Sequence, residues 1–265
     1  MLKDITLGQY FPGNSVVHRL DARTKIILVV VYIAALFQAA GWAGYGTAVL
    51  ITLLCIRISQ IPIKSLFKGL KPMIFIIALT AVLNIFYTQG TPVLPGWIIT
   101  WEGLERAAQM VLRITLLIMG TFLLTYTTSP MELTDGLEKL MNPLRKIRIP
   151  VHELTLMMSM ALRFIPTLIE ETDKIMSAQK ARGADFETGN LVQRTKALLP
   201  VLVPLFVSAF RRADELAVAM ESRCYHGGEG RTRMKQMKFA GIDAAAFALG
   251  ALFLAAMIAM KKFGL

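Results

Sequence analysis

Cysteine is scarce in this 265-residue chain: there are two, Cys55 inside an apolar run and Cys224 in a basic segment, and neither stands in a CxxC or metal-ligand spacing. No disulfide framework is implied, and the two need not pair. Histidine is nearly as rare. His18, His152 and His226 are scattered with no HExxH or Cys/His spacing, so surface or loop histidines are expected rather than metal ligands. A Gly-rich phosphate loop ending in Lys-Ser or Lys-Thr is also missing; Gly227, Gly228 and Gly230 lie in a basic loop without that ending, so this chain is not expected to bind a nucleotide cofactor by that route. No GxSxG nucleophile elbow occurs, and no catalytic site is visible.

Acidic residues are outnumbered by basic ones, 18 against 29, for a net charge of +11. Such a balance can signal nucleic acid, but here the cations are not interleaved with stacking aromatics. They flank apolar runs and read as topology signals, with no nucleic-acid partner expected. Polar surface is short as well. Hydrophobic residues make up 55% and charged ones 18%, with a mean hydropathy of +0.54. A soluble domain averages about 45–50% and about 25%, so the surface needed to cover a water-soluble core is lacking. Residues 1–25 carry Asp4, His18, Arg19, Asp21, Arg23 and Lys25 before any apolar run, which argues against a cleavable signal peptide.

What is abundant is uncharged sequence, in four runs at residues 26–56, 72–101, 114–129 and 244–260, while residues 129–239 hold seventeen of the 29 Lys and Arg. About 20 helical residues cross a bilayer, so the pattern predicts an all-α membrane protein with a large cytoplasmic module. The first run would measure about 46 Å as one helix, too long for one crossing. Gly41, Gly44 and Gly46 divide it into a hairpin, about 26–41 and 43–57. Arg19, Arg23 and Lys25 then lie on the same side as Arg57, Lys64, Lys68 and Lys71, which the positive-inside rule assigns to the cytoplasm.

A third span, about 72–88, leads out to a segment broken by Gly90, Pro92, Pro95 and Gly96, and a fourth, about 105–127, returns. Trp42, Trp97 and Trp101 fall at the expected outer boundary, where interfacial aromatics belong. A fifth span, about 239–260, leaves the carboxyl end outside with Lys261 and Lys262, against the charge rule. Arg113 falls inside the fourth span, where a cation at depth is costly and must face protein, water or the interface. Three parts follow: residues 1–128 as a four-span membrane domain, 129–238 as the cytoplasmic module, and 239–265 as the last span.

Within the module, Leu154, Met157, Met158, Ala161, Ile165, Leu168 and Ile169 recur at helical spacing among charged residues, an amphipathic helix over about 151–180 with a bend expected at Pro166. The apolar patch at 197–210 is too short to span and carries Pro200 and Pro204. It is expected to lie at the membrane surface and continue as a charged helix through Arg211, Arg212, Asp214, Glu215 and Glu221. Two arginines then stand at similar places, in Lys180-Ala181-Arg182-Gly183 and Glu221-Ser222-Arg223-Cys224. A cation in a last turn answers the helix dipole, and Gly183 and Gly227 can supply the left-handed residue that ends each helix; that structural explanation and a binding role both stand.

Four stretches carry a resemblance: His18-Arg19-Leu20-Asp21-Ala22-Arg23-Thr24-Lys25, Leu162-Arg163-Phe164-Ile165-Pro166, Ala181-Arg182-Gly183, and residues 198–223. Together they resemble the transmembrane T component of energy-coupling factor (ECF) transporters, the EcfT/CbiQ-like family that includes the cobalt-transport permease subunit. The resemblance implies a non-catalytic subunit of a prokaryotic vitamin or metal-ion importer, embedded in the plasma membrane with its amino end and module cytoplasmic. It implies two cytoplasmic ABC ATPases, which bind the ATP, and a membrane-embedded S component, which binds the substrate. About three coupling helices would follow the fourth span, with two Ala-Arg-Gly motifs each docking on one ATPase. Ala181, Arg182, Gly183, Ser222, Arg223 and Cys224 take those positions here. The second motif departs from the family pattern at Ser222 and Cys224, and Ala22 stands where the early motif commonly has Pro. A conventional ABC permease would carry Glu-Ala-Ala followed by a spaced Gly, which residues 209–221 lack. A membrane-embedded enzyme or scaffold, its basic helices holding lipid headgroups, is the remaining alternative.

Overall fold

Among the described residues of the computed structural model, 10–92, 99–186, 190–227 and 239–263, the chain is helical throughout, with one isolated bridge between Pro92 and Thr100 in place of any strand. The helices are α1 (Val16–Arg19), α2 (Ala22–Gln38), α3 (Gly41–Ser59), α4 (Ile63–Leu70), α5 (Ile74–Tyr87), α6 (Trp101–Thr127), α7 (Pro130–Met141), α8 (Val151–Ala181), α9 (Leu191–Glu221) and α10 (Gly241–Phe263), with 3-10 turns at Lys71–Met73 and Asn142–Ile147. They form two compact units. One holds α1 to α6, most of α7, and α10; the other holds the turn at Asn142–Ile147 with α8 and α9. Pro95, Gly96 and Trp97 of the expected outer segment, and Gly228 and Gly230 of the basic loop, lie outside the described residues.

The all-helical membrane fold expected from the charge pattern is present. Among the described residues, four helices are long and apolar enough to cross a bilayer: α3, the stretch Ile63–Tyr87, α6 and α10. With α2, 17 residues long and lying along α10 and α6, the count is close to the expected five. Details differ from the sequence reading. The hairpin turns at residues 39–41, with Gly41 alone in the left-handed region (φ +63°), whereas Gly44 and Gly46 lie inside α3. The third span begins earlier: α4 is a separate amphipathic helix burying Leu66 and Leu70, joined to α5 through Lys71–Met73. In keeping with the sequence reading, both long helices of the second unit continue past their prolines, α8 through Pro166 and α9 through Pro200 and Pro204.

Lipid gives apolar side chains no reason to avoid it, so packing and internal hydrogen bonds hold the spans together. Small residues serve the first need. Ala35, Ala39 and Ala48 are buried with Leu36, Tyr45, Leu116, Phe253 and Met257 where α2, α3, α6 and α10 meet. Tyr32 serves the second: its hydroxyl is 2.7 Å from Thr52 Oγ1 and donates to the Leu116 carbonyl at 3.1 Å.

Three contacts fix the register of α2 against α6: Lys25 Nζ donates to the Thr127 carbonyl at 2.8 Å, Tyr32 reaches Leu116, and Arg113 Nη2 donates to the Ala39 carbonyl at 3.3 Å. Arg113 therefore sits level with the far end of α2, not halfway along it. Its guanidinium answers the carbonyl end of α2 and lies 5.9 Å and 5.7 Å from the Phe37 and Tyr45 ring centres. Lys261 Nζ donates to Gln38 Oε1 at 2.8 Å, which puts the end of α10 at that same level. The cost of a cation inside the fourth span thus falls, because it stands where the hairpin turns.

Candidate functional site

Helices α8 and α9 are each 31 residues long, about 46 Å at 1.5 Å per residue. Asn190 starts α9 with a reciprocal cap: its side chain accepts from the third residue of the helix while its own N–H donates to Gln193 Oε1 at 3.1 Å. The helices are tied side by side by the Glu171 carboxylate, which accepts from the Ser208 hydroxyl and, at 2.7 Å, from Arg212 Nη2. The Ser208 hydrogen bond holds the Glu171 carboxyl below its ordinary value; desolvation opposes this, and the Arg212 hydrogen bond and charge, with Lys174, add to it. An apolar face is left open on both helices: Met157 on α8 is 57% exposed, and Phe206 and Phe210 on α9 are 62% and 69% exposed.

The two arginine motifs occupy the ends of these helices, and their backbones follow one pattern. At α8, Arg182 is the cap and Gly183 turns left-handed at φ +89°. The Gly183 N–H donates to the Lys180 carbonyl at 3.0 Å and the Ala184 N–H to the Gln179 carbonyl at 3.0 Å. At α9, Cys224 turns left-handed at φ +54°. The Cys224 N–H donates to the Glu221 carbonyl at 2.9 Å and the Tyr225 N–H to the Met220 carbonyl at 3.1 Å. Both sets are the paired 5→2 and 6→1 bonds of a Schellman ending. Aligned on that pattern, Ala181 matches Ser222, Arg182 matches Arg223, and Gly183 matches Cys224.

This corrects one expectation. Gly227 was expected to supply the left-handed residue of the second ending; it does have φ +100°, but the helix has already closed on Cys224. The departure of the second motif from Ala-Arg-Gly leaves the backbone geometry intact. Arg182 and Arg223 are both exposed, with no carboxylate paired to either among the described residues. Around them, the Ser222 hydroxyl turns back onto the Val218 carbonyl and His226 Nδ1 donates to the Cys224 carbonyl at 2.8 Å. Among the described residues no group of three or more His, Cys, Asp or Glu is placed to hold a metal ion.

One polar constellation was not assembled by sequence reasoning. Asp21, next to the first span, and Asp243, in the last, meet through a hydrogen bond from the Asp21 N–H to Asp243 Oδ1 at 2.9 Å. Burial pushes the Asp21 carboxyl up, but hydrogen bonds from the Arg23 side chain and backbone, with the charges of Arg23 and Lys25, outweigh it and hold the carboxyl below its usual value. The early motif signals half of this cluster; nothing in the sequence pairs it with Asp243.

Comparison with known proteins matches this sequence over most of its length. The cobalt transport protein family, CbiQ, matches residues 13–235. The energy-coupling factor transporter transmembrane protein EcfT of Clostridium kluyveri is 57% identical over 247 residues, covering 92% of each chain. That of Ruminiclostridium cellulolyticum is 50% identical over 264 residues, 98% of each, and that of Bacillus subtilis 50% identical over 246 residues, 92% of this chain and 93% of the relative. The chain thus belongs to the CbiQ cobalt transport protein family, and within it to the EcfT proteins, as a non-catalytic transmembrane component of an energy-coupling factor transporter.

Proposed function

We propose that this chain couples two ATP-hydrolysing cytoplasmic ATPases to a membrane-embedded S component that binds a vitamin or a metal ion, and that Arg182 and Arg223 are the points at which the ATPases are gripped. The observation that carries the reading is the shared ending of α8 and α9, which presents an exposed guanidinium at the same helical position twice. A guanidinium keeps its charge and offers a planar fork that can hold a carboxylate bidentately in a partly dry groove. ATP would be bound by the partners. Their closing would move the two docked ends relative to each other, and the helices behind them would carry the displacement toward the spans.

The open face of α8 and α9 supports the S-component half of the reading. Met157 and Met158, with Leu199, Val203, Phe206 and Phe210, expose an apolar surface that water alone would not favour, and flexible methionines suit a surface that changes partners. Residues 129–238 then act as the cytoplasmic module between the membrane parts at 1–128 and 239–265. The protein would sit in a prokaryotic plasma membrane with its amino end cytoplasmic and its carboxyl end outside.

In a detergent pull-down, Arg182→Glu combined with Arg223→Glu should release the ATPases while the subunit still inserts. Full retention of the ATPases by the double variant removes the docking assignment.

A further inference from the structure

The chain passes from its first unit into the second after α7 and comes back at α10, and both of these helices rest on one turn at the start of α2. Ala22 is the contact for α7: a Cβ built on Gly136 would come 2.9 Å from the Ala22 Cβ and 3.3 Å from the Arg23 nitrogen, so the two backbones meet there without a side chain between them. Asp21 and Arg23 are the contacts for α10. The Asp21 N–H donates to Asp243 Oδ1 at 2.9 Å, and Asp243 Oδ2 accepts the Ala240 N–H at 2.8 Å, so one carboxylate, 2% exposed, joins the start of α10 to the turn. The Arg23 guanidinium lies 4.1 Å from the Phe239 ring centre.

The turn itself is held from the inside. Asp21 accepts from the Arg23 N–H at 3.0 Å and from Arg23 Nε and Nη2 at 3.1 Å and 2.8 Å. Two residues on, Lys25 is 5% exposed and its ammonium bridges the His18 carbonyl at 3.2 Å and the Thr127 carbonyl at 2.8 Å, fastening the turn to the end of α6. Each link spends a charged or backbone group on holding two segments together, and buried groups so paired are costly to separate.

We infer that the Asp21–Arg23 turn is a fixed anchor for the helices on either side of α8 and α9, holding the middle of α7 and the start of α10 at a constant separation. Displacement generated in α8 and α9 then reaches the spans through one point instead of spreading these two helices apart. The inference rests on the coupling role proposed above. Asp21, Arg23, Lys25, Gly136 and Asp243 are positioning residues in this scheme; none of them touches nucleotide or substrate.

The test uses the complete complex with its copurified ATPases and both of its own cysteines, with nitroxide labels carried on keto-bearing unnatural residues at Leu133 of α7 and Ile242 of α10. A second labelled pair, Leu133 with Val203 of α9, reports motion of the module. Trapping with ATP and vanadate is expected to shift the Leu133–Val203 distance and leave Leu133–Ile242 where it was. Asp243→Ala should let the Leu133–Ile242 distance shift on trapping while the ATPases still copurify, and Asp243→Asn, which keeps an oxygen for the Asp21 N–H, should restore the fixed distance. Where Asp243→Ala fails to insert, Gly136→Ala is expected to free the same pair.

A Leu133–Ile242 pair that shifts in the unaltered protein along with Leu133–Val203 overturns the anchor and leaves the coupling role standing. So does an unmoved pair in both Asp243→Ala and Gly136→Ala. If trapping moves neither pair, the anchor and the coupling role fall together.

Discussion

Gly183 and Cys224 hold equivalent left-handed positions, so exchanging their residue types should perturb the two helix ends in opposite directions. At Gly183 nothing lies within 4 Å of an added Cβ, so the cost of Gly183→Ala is conformational and not steric. An L-residue held in the left-handed region costs about 1–2 kcal/mol, and the narrower unfolded ensemble of alanine returns about 0.4–1 kcal/mol. The net is about 1 kcal/mol against the ending, roughly a fivefold change in its opening equilibrium. Cys224→Gly runs the same sum backwards and should close the second ending by about the same factor. Hydrogen exchange reads this at two amides: that of Ala184, bonded to the Gln179 carbonyl, and that of Tyr225, bonded to the Met220 carbonyl. Ala184 should exchange about fivefold faster in Gly183→Ala and Tyr225 about fivefold slower in Cys224→Gly, because opening is local and precedes exchange. Unchanged exchange at Ala184, or faster exchange at Tyr225, would refute the claim that a left-handed residue closes both helices. If the ending aims the arginine, ATPase affinity in Gly183→Ala should fall by no more than that same factor.

Two further outcomes follow from the geometry. Because the folded Glu171 carboxyl titrates below its ordinary value, its bridge between α8 and α9 stabilises the module above the unfolded carboxylate pKa and is lost as pH falls through the folded one. Thermal unfolding of the module should therefore soften below about pH 4.5, with a loss held to about 0.5–1 kcal/mol by solvent screening of a half-exposed pair, and Glu171→Gln should erase that pH dependence; an undiminished dependence in the variant would refute the assignment. For topology, in a chain with Cys55 and Cys224 replaced, a cysteine near Gln89 should label from outside and one near Lys139 only after permeabilisation, and the reverse pattern would overturn the proposed orientation.

The helical spans were legible because a charge in hydrocarbon is expensive, so uncharged runs bounded by Lys and Arg mark crossings directly. The two arginine endings were legible as residue types. What escaped depends on partners distant in sequence. The depth of Arg113 was not readable from its place within an apolar run, since depth is set by the register that Lys25 and Thr127 impose on α2 and α6. The meeting of Asp21 with Asp243, 222 residues apart, leaves no local signal. Helix α4 was hidden because Pro62, three lysines and Pro72 make it look like a polar connector, although its apolar residues repeat at helical spacing. The continuation of the 197–210 patch into a charged helix was legible despite Pro200 and Pro204, each of which removes a donor; the start of α9 at Leu191 was not.

In the docking proposal the direction of Arg223 matters more than local backbone preference, and the second ending is consistent with that. A helix that only needed to stop could have run three residues further and turned on Gly227, which already has φ +100°. It turns instead on Cys224, a residue that the left-handed region disfavours by about 1–2 kcal/mol. Stopping there puts Arg223 at the cap, with the same two carbonyl bonds behind it as Arg182. Moving the turn to Gly227 would carry the cap three residues onward, rotate Arg223 by most of a helical turn relative to the ending, and destroy the match with α8. Strain kept in place of an available relaxed alternative points to a constraint from outside the helix. Under the docking proposal, a partner that contacts both endings through the same fork geometry would supply such a constraint, which a helix dipole, satisfied by a cation anywhere in the last turn, would not.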